Sequence, residues 1–399
     1  MRLAPVSSLL ARVIAMIFAV TLCLSTPTLA APCGGDFNAF VAAISAEAKA
    51  AGASQAAINA FFSGAGVDKS VLQHDRGQAF FRKSFLEFSQ SLISKNRIQN
   101  AAVYSKKYNT AFTRAEQDYG VSRGIILSFW AFETDFGQVQ GDFNTRNALL
   151  TLAHDCRRPE IFQPQVIAAI RLTQSGSFNP ATTTGAWAGE IGQVQMLPRD
   201  IYERGVDGDG DGKVTLKTSA PDAILSAARL LQYHGWAPGQ PWLQEVVVPA
   251  RMDWSQSSLD KTLPASQWAA MGVTAREGKL ANLPASLLLP QGRKGPAFLA
   301  YPNYKVLFEW NKSFVYVTTA AYFATRIQGA APYDAGRPDP ALSADAMAAL
   351  QKKLAAQGYA VGKIDGILGA ATRAAVQKEQ ARLGLPADGW PTATLLDAM

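Results

Sequence analysis

From Asp36 to about Ala115, apolar residues return every three or four positions, as at Phe40, Val41, Ile44 and Ala48, inside alanine-rich stretches. That spacing gathers them on one face of a helix, and no run alternates cleanly enough to read as a strand. The pattern predicts a mainly α fold. The same period continues in YGVSRGIILSFWAFETDFG, where Ser122 is a good N-cap and Gly137 a natural stop. At helical spacing Ile126, Phe129, Trp130 and Glu133 share one face.

A carboxylate on an aromatic and aliphatic stripe packs poorly, but burial there disfavours its charged form and suits it to acid catalysis. Asp135, two positions on, points elsewhere, so the pair cannot be the closely spaced carboxylates of a two-acid glycosidase. The helix alone leaves open a buried glutamate satisfied by a backbone or arginine partner.

The two ends break the pattern. Arg2 and Arg12 flank the start of an apolar run, Val13 to Leu24, and Thr28-Leu29-Ala30 offers a small residue for cleavage. Residues 1–30 therefore read as a secretory signal, which predicts a periplasmic protein. The run is twelve residues long, short of the ~20 that span a bilayer, and Cys23 lacks the small neighbours of a lipoprotein signal. No stable membrane anchor is expected. Near the other end, GAAPYDAGRPDPA (329–341) has three prolines and no apolar period, the composition of a linker. Beyond it Leu342, Met347, Leu350 and Leu354 form a helical stripe ended by Gly358, and turns at Gly362, Asp365-Gly366 and Gly369 lead into a second helix.

Charge and cysteine content narrow the partners. The net charge of +7 falls by two when Arg2 and Arg12 leave, and still suits an anionic polymer. An export signal argues against nucleic acid. Once the signal is removed, Cys33 and Cys156 remain for an oxidising compartment, which predicts a disulfide. With three histidines in the chain, a Cys/His metal site or nucleophile is not expected.

Asp207, Asp209, Asp211 and Gly212 fall at positions 1, 3, 5 and 6 of a calcium loop, with Lys213 offering a backbone carbonyl at position 7. Position 12 is Thr218, so the usual glutamate is missing, and Asp222 is the expected substitute. A structural Ca2+ is the one cofactor implied; no organic cofactor is. Gln193 and Gln195, in the small-residue segment GAWAGEIGQVQMLP, offer amides to sugar hydroxyls or N-acetyl groups, or tie loops together. Tyr301, Asn303, Tyr304, Trp310 and Asn311 mix aromatic faces with amides, as a carbohydrate groove or a core does. Arg157 and Arg158 either meet a substrate carboxylate or form a surface pair.

Five motifs in order, ILSFWAFETDFG, NALLTLAHDCRRPEIF, GAWAGEIGQVQMLP, DGDGDGKVTL with PDAILSAARLLQYHGW, and YPNYKVLFEWNKSFVYV, resemble the lytic murein transglycosylase B family up to about Gln328. The resemblance implies a lysozyme-like α+β catalytic domain over 31–328 and a peptidoglycan substrate, with Glu133 as single general acid and then base. It also implies that Gln195, Asn303, Trp310 and Asn311 line the groove and that Asp222 completes the cation site. Many relatives carry serine where this chain has Ala186.

Residues 342–399 resemble the three-helix peptidoglycan-binding domain at Gln351, Leu354, Gly358-Tyr359, Gly362, Asp365-Gly366, Gly369 and Thr372, but carry Glu379 where an aromatic is usual. A helical dimerisation tail is the plainer alternative. A hydrolytic muramidase and a non-catalytic wall-binding protein remain the rival functions.

Overall fold

The computed structural model describes residues 31–77 and 83–399, so the expected signal segment lies outside the described residues. Helices dominate, as the periodicity requires. The first group is α1 (Phe37–Ala50), α2 (Gln55–Phe62), α3 (Lys69–Arg76), α4 (Phe85–Leu92), α5 (Lys95–Lys107), α6 (Asn109–Tyr119) and α7 (Arg123–Thr134). A two-stranded ribbon, β1 (Phe143–Asn144) with β2 (Thr184–Gly185), brackets α8 (Thr145–His154) and α9 (Pro159–Gln174). After α10 (Pro198–Arg204) and α11 (Ala220–Tyr233) comes a smaller sheet region.

Helix α7 is the axis of the body. Ser122 caps it by accepting from the Gly124 amide. Ile125 through Ala131 are all at most 1% exposed, so the helix is buried on every side. It packs against α5, α6, α11 and α14 (Phe314–Ile327). Gly124 permits the close crossing of α14: a Cβ there would lie 3.0 Å from the Ala324 carbonyl oxygen. Ser128, a polar group inside the crossing, donates to Ala320 O at 2.7 Å and so avoids an unpaired buried hydroxyl.

The strands that periodicity did not reveal are β3 (Leu243–Val247), β4 (Leu263–Pro264), β5 (Thr274–Ala275), β6 (Pro284–Leu288) and β7 (Phe298–Ala300), with α12 (Ala265–Ala270) between β4 and β5. They form one antiparallel sheet in the order β4-β6-β7-β3-β5, with Leu287 opposite Leu299 and Leu243 opposite Ala300. Their apolar runs do not alternate because β6 and β7 are buried at nearly every position. Trp254, Trp268, Leu287, Leu299 and Tyr301 make this region's own core.

Helix α13 (Pro302–Val306) and a 3₁₀ turn at Leu307–Glu309 lead into α14. Residues 330–343 carry no helix or strand but are laid along the body: Asp334 N donates to Glu245 and Arg337 N to Lys294 O. Helices α15 (Ala344–Ala356), α16 (Ala370–Arg382) and α17 (Ala393–Ala398) close on a core of Met347, Leu350, Leu354, Val376 and Leu395. Gln351, fully buried, is the polar key of this unit. Its amide nitrogen donates to Lys363 O, Ile367 O and Thr372 Oγ1, while its oxygen accepts from the Asp365 and Gly366 amides.

Candidate active site

Glu133 occupies the last turn of α7, where the helix surfaces. Its Oε1 accepts from Trp310 Nε1 at 3.0 Å and from the Tyr316 hydroxyl at 2.5 Å. Trp310 lies between α13 and α14 and Tyr316 in the first turn of α14, both more than 170 residues away in sequence. Phe129, one turn before Glu133, supports them. Its ring stacks on Trp310 at 4.4 Å and lies 6.4 Å from Tyr316. The apolar stripe of α7 thus becomes the floor under a carboxyl.

Burial pushes the Glu133 pKa up to about 7, against the pull of the two hydrogen bonds, with a further upward push from the charge of Glu190. Desolvation wins because Tyr316 and Trp310 are neutral. The Tyr316 hydroxyl is itself held far above its ordinary range, by burial first and then by Glu133, so it remains a donor. With both donors on Oε1, a proton on the acid resides on Oε2.

The end of α7 is also a backbone anchor. Asp135 and Phe136 adopt left-handed conformations with φ of 50° and 59°, which reverse the chain at once. Asp135 is therefore the C-cap rather than a helical residue, and its carboxylate pairs with Arg97 at 3.1 Å. Thr134 Oγ1 donates to Gln193 O at 2.5 Å and accepts from Gly137 N at 2.8 Å, fastening the loop 185–196 beside Glu133. That loop closes on itself through Ala186 N to Glu190 O and the Ile191–Met196 bridge. Gly185 is required at its neck, since a Cβ there would fall 2.0 Å from the Glu190 carbonyl oxygen.

The segment's glutamines have local tasks. Gln193 is 7% exposed, with its side chain lying beside Gly137 and its backbone carbonyl accepting from Thr134. Gln195 is half-buried with φ of 51°, and its amide nitrogen donates to Gly192 O at 2.8 Å and Gln140 O at 3.2 Å. A strained backbone held this firmly beside the acid marks a preorganised loop.

Among the downstream residues, Trp310 reaches the acid and the others do not. Asn303 is fully buried; its amide accepts from Ala237 N and donates to Ala237 O and Gln240 O. The expected groove position is thus a loop tie, because Pro302 starts α13 and turns Asn303 and Tyr304 into the interior. Tyr304 is hydrogen-bonded to Thr318 and Tyr301 to Gln244. Asn311 accepts from Ser313 N at 2.8 Å, which fixes the turn between Trp310 and α14.

Tyr316, which bonds the acid directly, and Glu190 escaped the sequence reading. Glu190 was quoted inside a motif without a role, yet it is a second carboxyl near Glu133, its own pKa raised by burial. Trp187, on the same loop, stacks with His74 at 6.5 Å, and His74 meets Phe143 edge-on at 5.2 Å. No periodicity could reveal that wall, since its members come from α3, β1 and the loop. Arg157 and Arg158 converge on Asp75, which is 1% exposed, so they neutralise a buried charge instead of waiting for a substrate carboxylate.

The acidic loop is separate from this centre. Carboxylate oxygens of Asp207, Asp209 and Asp211 lie within 4.8 Å of one another, a donor set fit for a hard cation. Asp207 accepts from the amides of Gly210, Asp211 and Gly212, Asp211 from that of Lys213. Asp222 differs from expectation. It is fully buried at the start of α11 and spends its oxygens on Gly208 N, Ser219 Oγ and Thr215 N, bracing both ends of the loop from beneath. Cys33 and Cys156 form a disulfide with a Cα separation of 5.1 Å, tying the start of the described chain to the end of α8.

Known proteins share this fold. The transglycosylase SLT domain family matches residues 36–325, and a peptidoglycan binding domain family matches residues 343–399. SltB3 of Pseudomonas aeruginosa, solved in complex with NAG-anhNAM-pentapeptide, superposes with a TM-score of 0.83 at 33% identity, covering 91% of this chain and 99% of that one. The Escherichia coli lytic transglycosylase Slt35, solved with calcium, gives a TM-score of 0.63 at 26% identity, covering 75% of this chain and 96% of that one. Membrane-bound lytic murein transglycosylase B of Escherichia coli is 29% identical over 235 residues, 58% of this chain; the match spans 64% of that protein's length. These matches place the chain in the lytic murein transglycosylase B family.

Proposed function

We propose that this protein is a periplasmic lytic transglycosylase that cleaves the β-1,4 bond between N-acetylmuramic acid and N-acetylglucosamine in peptidoglycan. The reading is carried by one observation: a carboxyl with a pKa near 7, held by two neutral donors on one oxygen and leaving the other for the reaction. A group poised there can give and take a proton in one cycle.

In the first step Glu133 Oε2 gives its proton to the glycosidic oxygen, and the C1–O bond breaks. The substrate's own N-acetyl oxygen stabilises the positive charge at C1, as in glycosidases that lack a carboxylate nucleophile. In the second step the Glu133 carboxylate takes the proton of the C6 hydroxyl, whose oxygen bonds to C1. The product is a 1,6-anhydro sugar, and no water enters the balance. Gln193 and Gln195 act by holding the loop 185–196 in place, Trp310 by binding the acid, and Asn303 and Asn311 by fixing the segments around it.

Mass spectrometry of digested cell wall tests the reading. Anhydro-muramic ends are expected, and their loss in Glu133→Gln with folding and wall sedimentation intact. Reducing muramic ends would make the protein a hydrolase, and parent-like cleavage by Glu133→Gln would remove that residue from its role.

The relative Slt35 was solved with calcium. Here Asp207, Asp209 and Asp211, with the Lys213 carbonyl, would hold such a cation, and its contribution is to the fold. Removal by a chelator is expected to lower the melting temperature by several degrees; a melt insensitive to calcium discards the site. Asp209→Asn is expected to reproduce the chelated melt.

A further inference from the structure

The segment that carries Trp310 and Tyr316 is supported on two sides. Phe129 of α7 supports it from within. The other support comes from the C-terminal module. Phe314, two residues before Tyr316 in the first turn of α14, lies under the guanidinium of Arg373 on α16, 5.3 Å from ring centroid to charge centre.

Arg373 is fixed by the body it leans on. Its Nη1 donates to Leu289 O at 3.2 Å and its Nη2 to Pro290 O at 2.9 Å, just beyond β6. Trp390 of the module lies 5.9 Å away on the same charge. Around it, Gln377 donates to Trp254 O and Ser257 O at 3.2 and 2.6 Å, and Asp388 accepts from Arg293 N at 3.0 Å. Burial lowers the Arg373 pKa to about 10, so it is still a cation at neutral pH. An apolar side chain would fill this place with less desolvation. What a guanidinium adds is a fixed planar fork that locks two carbonyls and an aromatic face into one register.

We propose that Arg373 is a positioning residue for the catalytic carboxyl: the docked C-terminal module braces Phe314, and through it Tyr316 and Trp310 on Glu133. The module then serves the chemical step as well as attachment to the wall. The inference rests on the assignment of Glu133 as the acid.

The test uses full-length protein and a soluble peptide-free tetrasaccharide of alternating N-acetylglucosamine and N-acetylmuramic acid, so that attachment to insoluble wall does not enter the rate. Arg373→Met and Phe314→Ala are each expected to lower kcat about tenfold with KM nearly unchanged, the signature of a mispositioned group. The double variant should lose no more than either single one, because both cut the same link. The groups facing Glu133 are Tyr316 from α14 and Glu190 from the loop; those facing Arg373 are Asp388 and Tyr304. Loosening Tyr316 removes a bond that favours the carboxylate, so the alkaline limb of the kcat profile should move to higher pH.

Wall sedimentation equal to the parent's shows the module folded. Parent-like kcat and pH profile in a folded Arg373→Met overturn the inference, and if that variant does not fold, the same result in Phe314→Ala overturns it. An active Glu133→Gln would instead sink the underlying assignment, whatever the Arg373 arm shows.

Discussion

Glu133 in the catalytic body and Glu379 in the C-terminal module are both glutamates taken into the protein, and their acidities move in opposite directions. Glu133 is raised to about 7 by burial, its partners being a phenol, an indole and the like charge of Glu190. Glu379, fully buried on α16, is held below the ordinary carboxylate range, first by the hydrogen bonds of Arg382, which donates to both oxygens at 2.7 Å. Tyr359 adds a third bond at 3.1 Å. Burial alone therefore does not raise a carboxyl's pKa; of these two, the one without a counter-cation is the one raised. The unusual Glu379 is a structural anion with its own clamp.

The strongest way to break the comparison is to neutralise each glutamate. Glu133→Gln is expected to lower kcat by roughly 10²- to 10⁴-fold, the range for a general acid, whereas Glu379→Gln should leave kcat on a soluble oligosaccharide close to the parent's. A large loss in the second variant would erase the distinction.

Next in size are stabilities, and they should diverge in sign. Arg382→Met leaves Glu379 buried without its cation and is expected to lower the urea midpoint at neutral pH, by less than the loss of a buried arginine would. Because the folded Glu379 pKa is lowered, the clamp's contribution is present above the ordinary carboxylate range and fades as pH falls through the folded value. The folded Glu133 pKa is raised, so its protonated form contributes below about 4.5 and that contribution is lost as pH rises to about 7. Glu133→Gln should therefore gain stability over the parent across that window and hold the gain above it. A gap that shrinks with rising pH contradicts the assignment.

The smallest effects resolve the causes at Glu133 itself. Removing the like charge with Glu190→Gln should move the alkaline limb of the activity profile to lower pH. Removing the hydroxyl with Tyr316→Phe should move it to higher pH and reduce kcat several-fold. Limbs that move the same way would show that one of the two neighbours does not act as the geometry indicates.

Much of this was legible in the chain. The apolar period gave the helical body, and one carboxylate on the stripe Ile126, Phe129, Trp130 singled out Glu133. The buried strands β6 and β7 were not legible, because uniform burial erases alternation. Nor were the roles of Asn303 and Asp222, which look like ligands by residue type and become loop ties by position. Glu190 and Trp187 lay in plain view in a small-residue segment, and nothing local told them apart from linker.

The sequence by itself determined that the chain is mainly helical and which carboxylate sits on an apolar stripe, since those follow from periodicity, caps and turn residues within a few positions. Tertiary structure alone decided that this carboxyl's pKa would rise to about 7. That outcome needs Trp310, Tyr316 and Glu190 brought to its side and every cation kept away, and such neighbours are set by packing between helices distant in sequence.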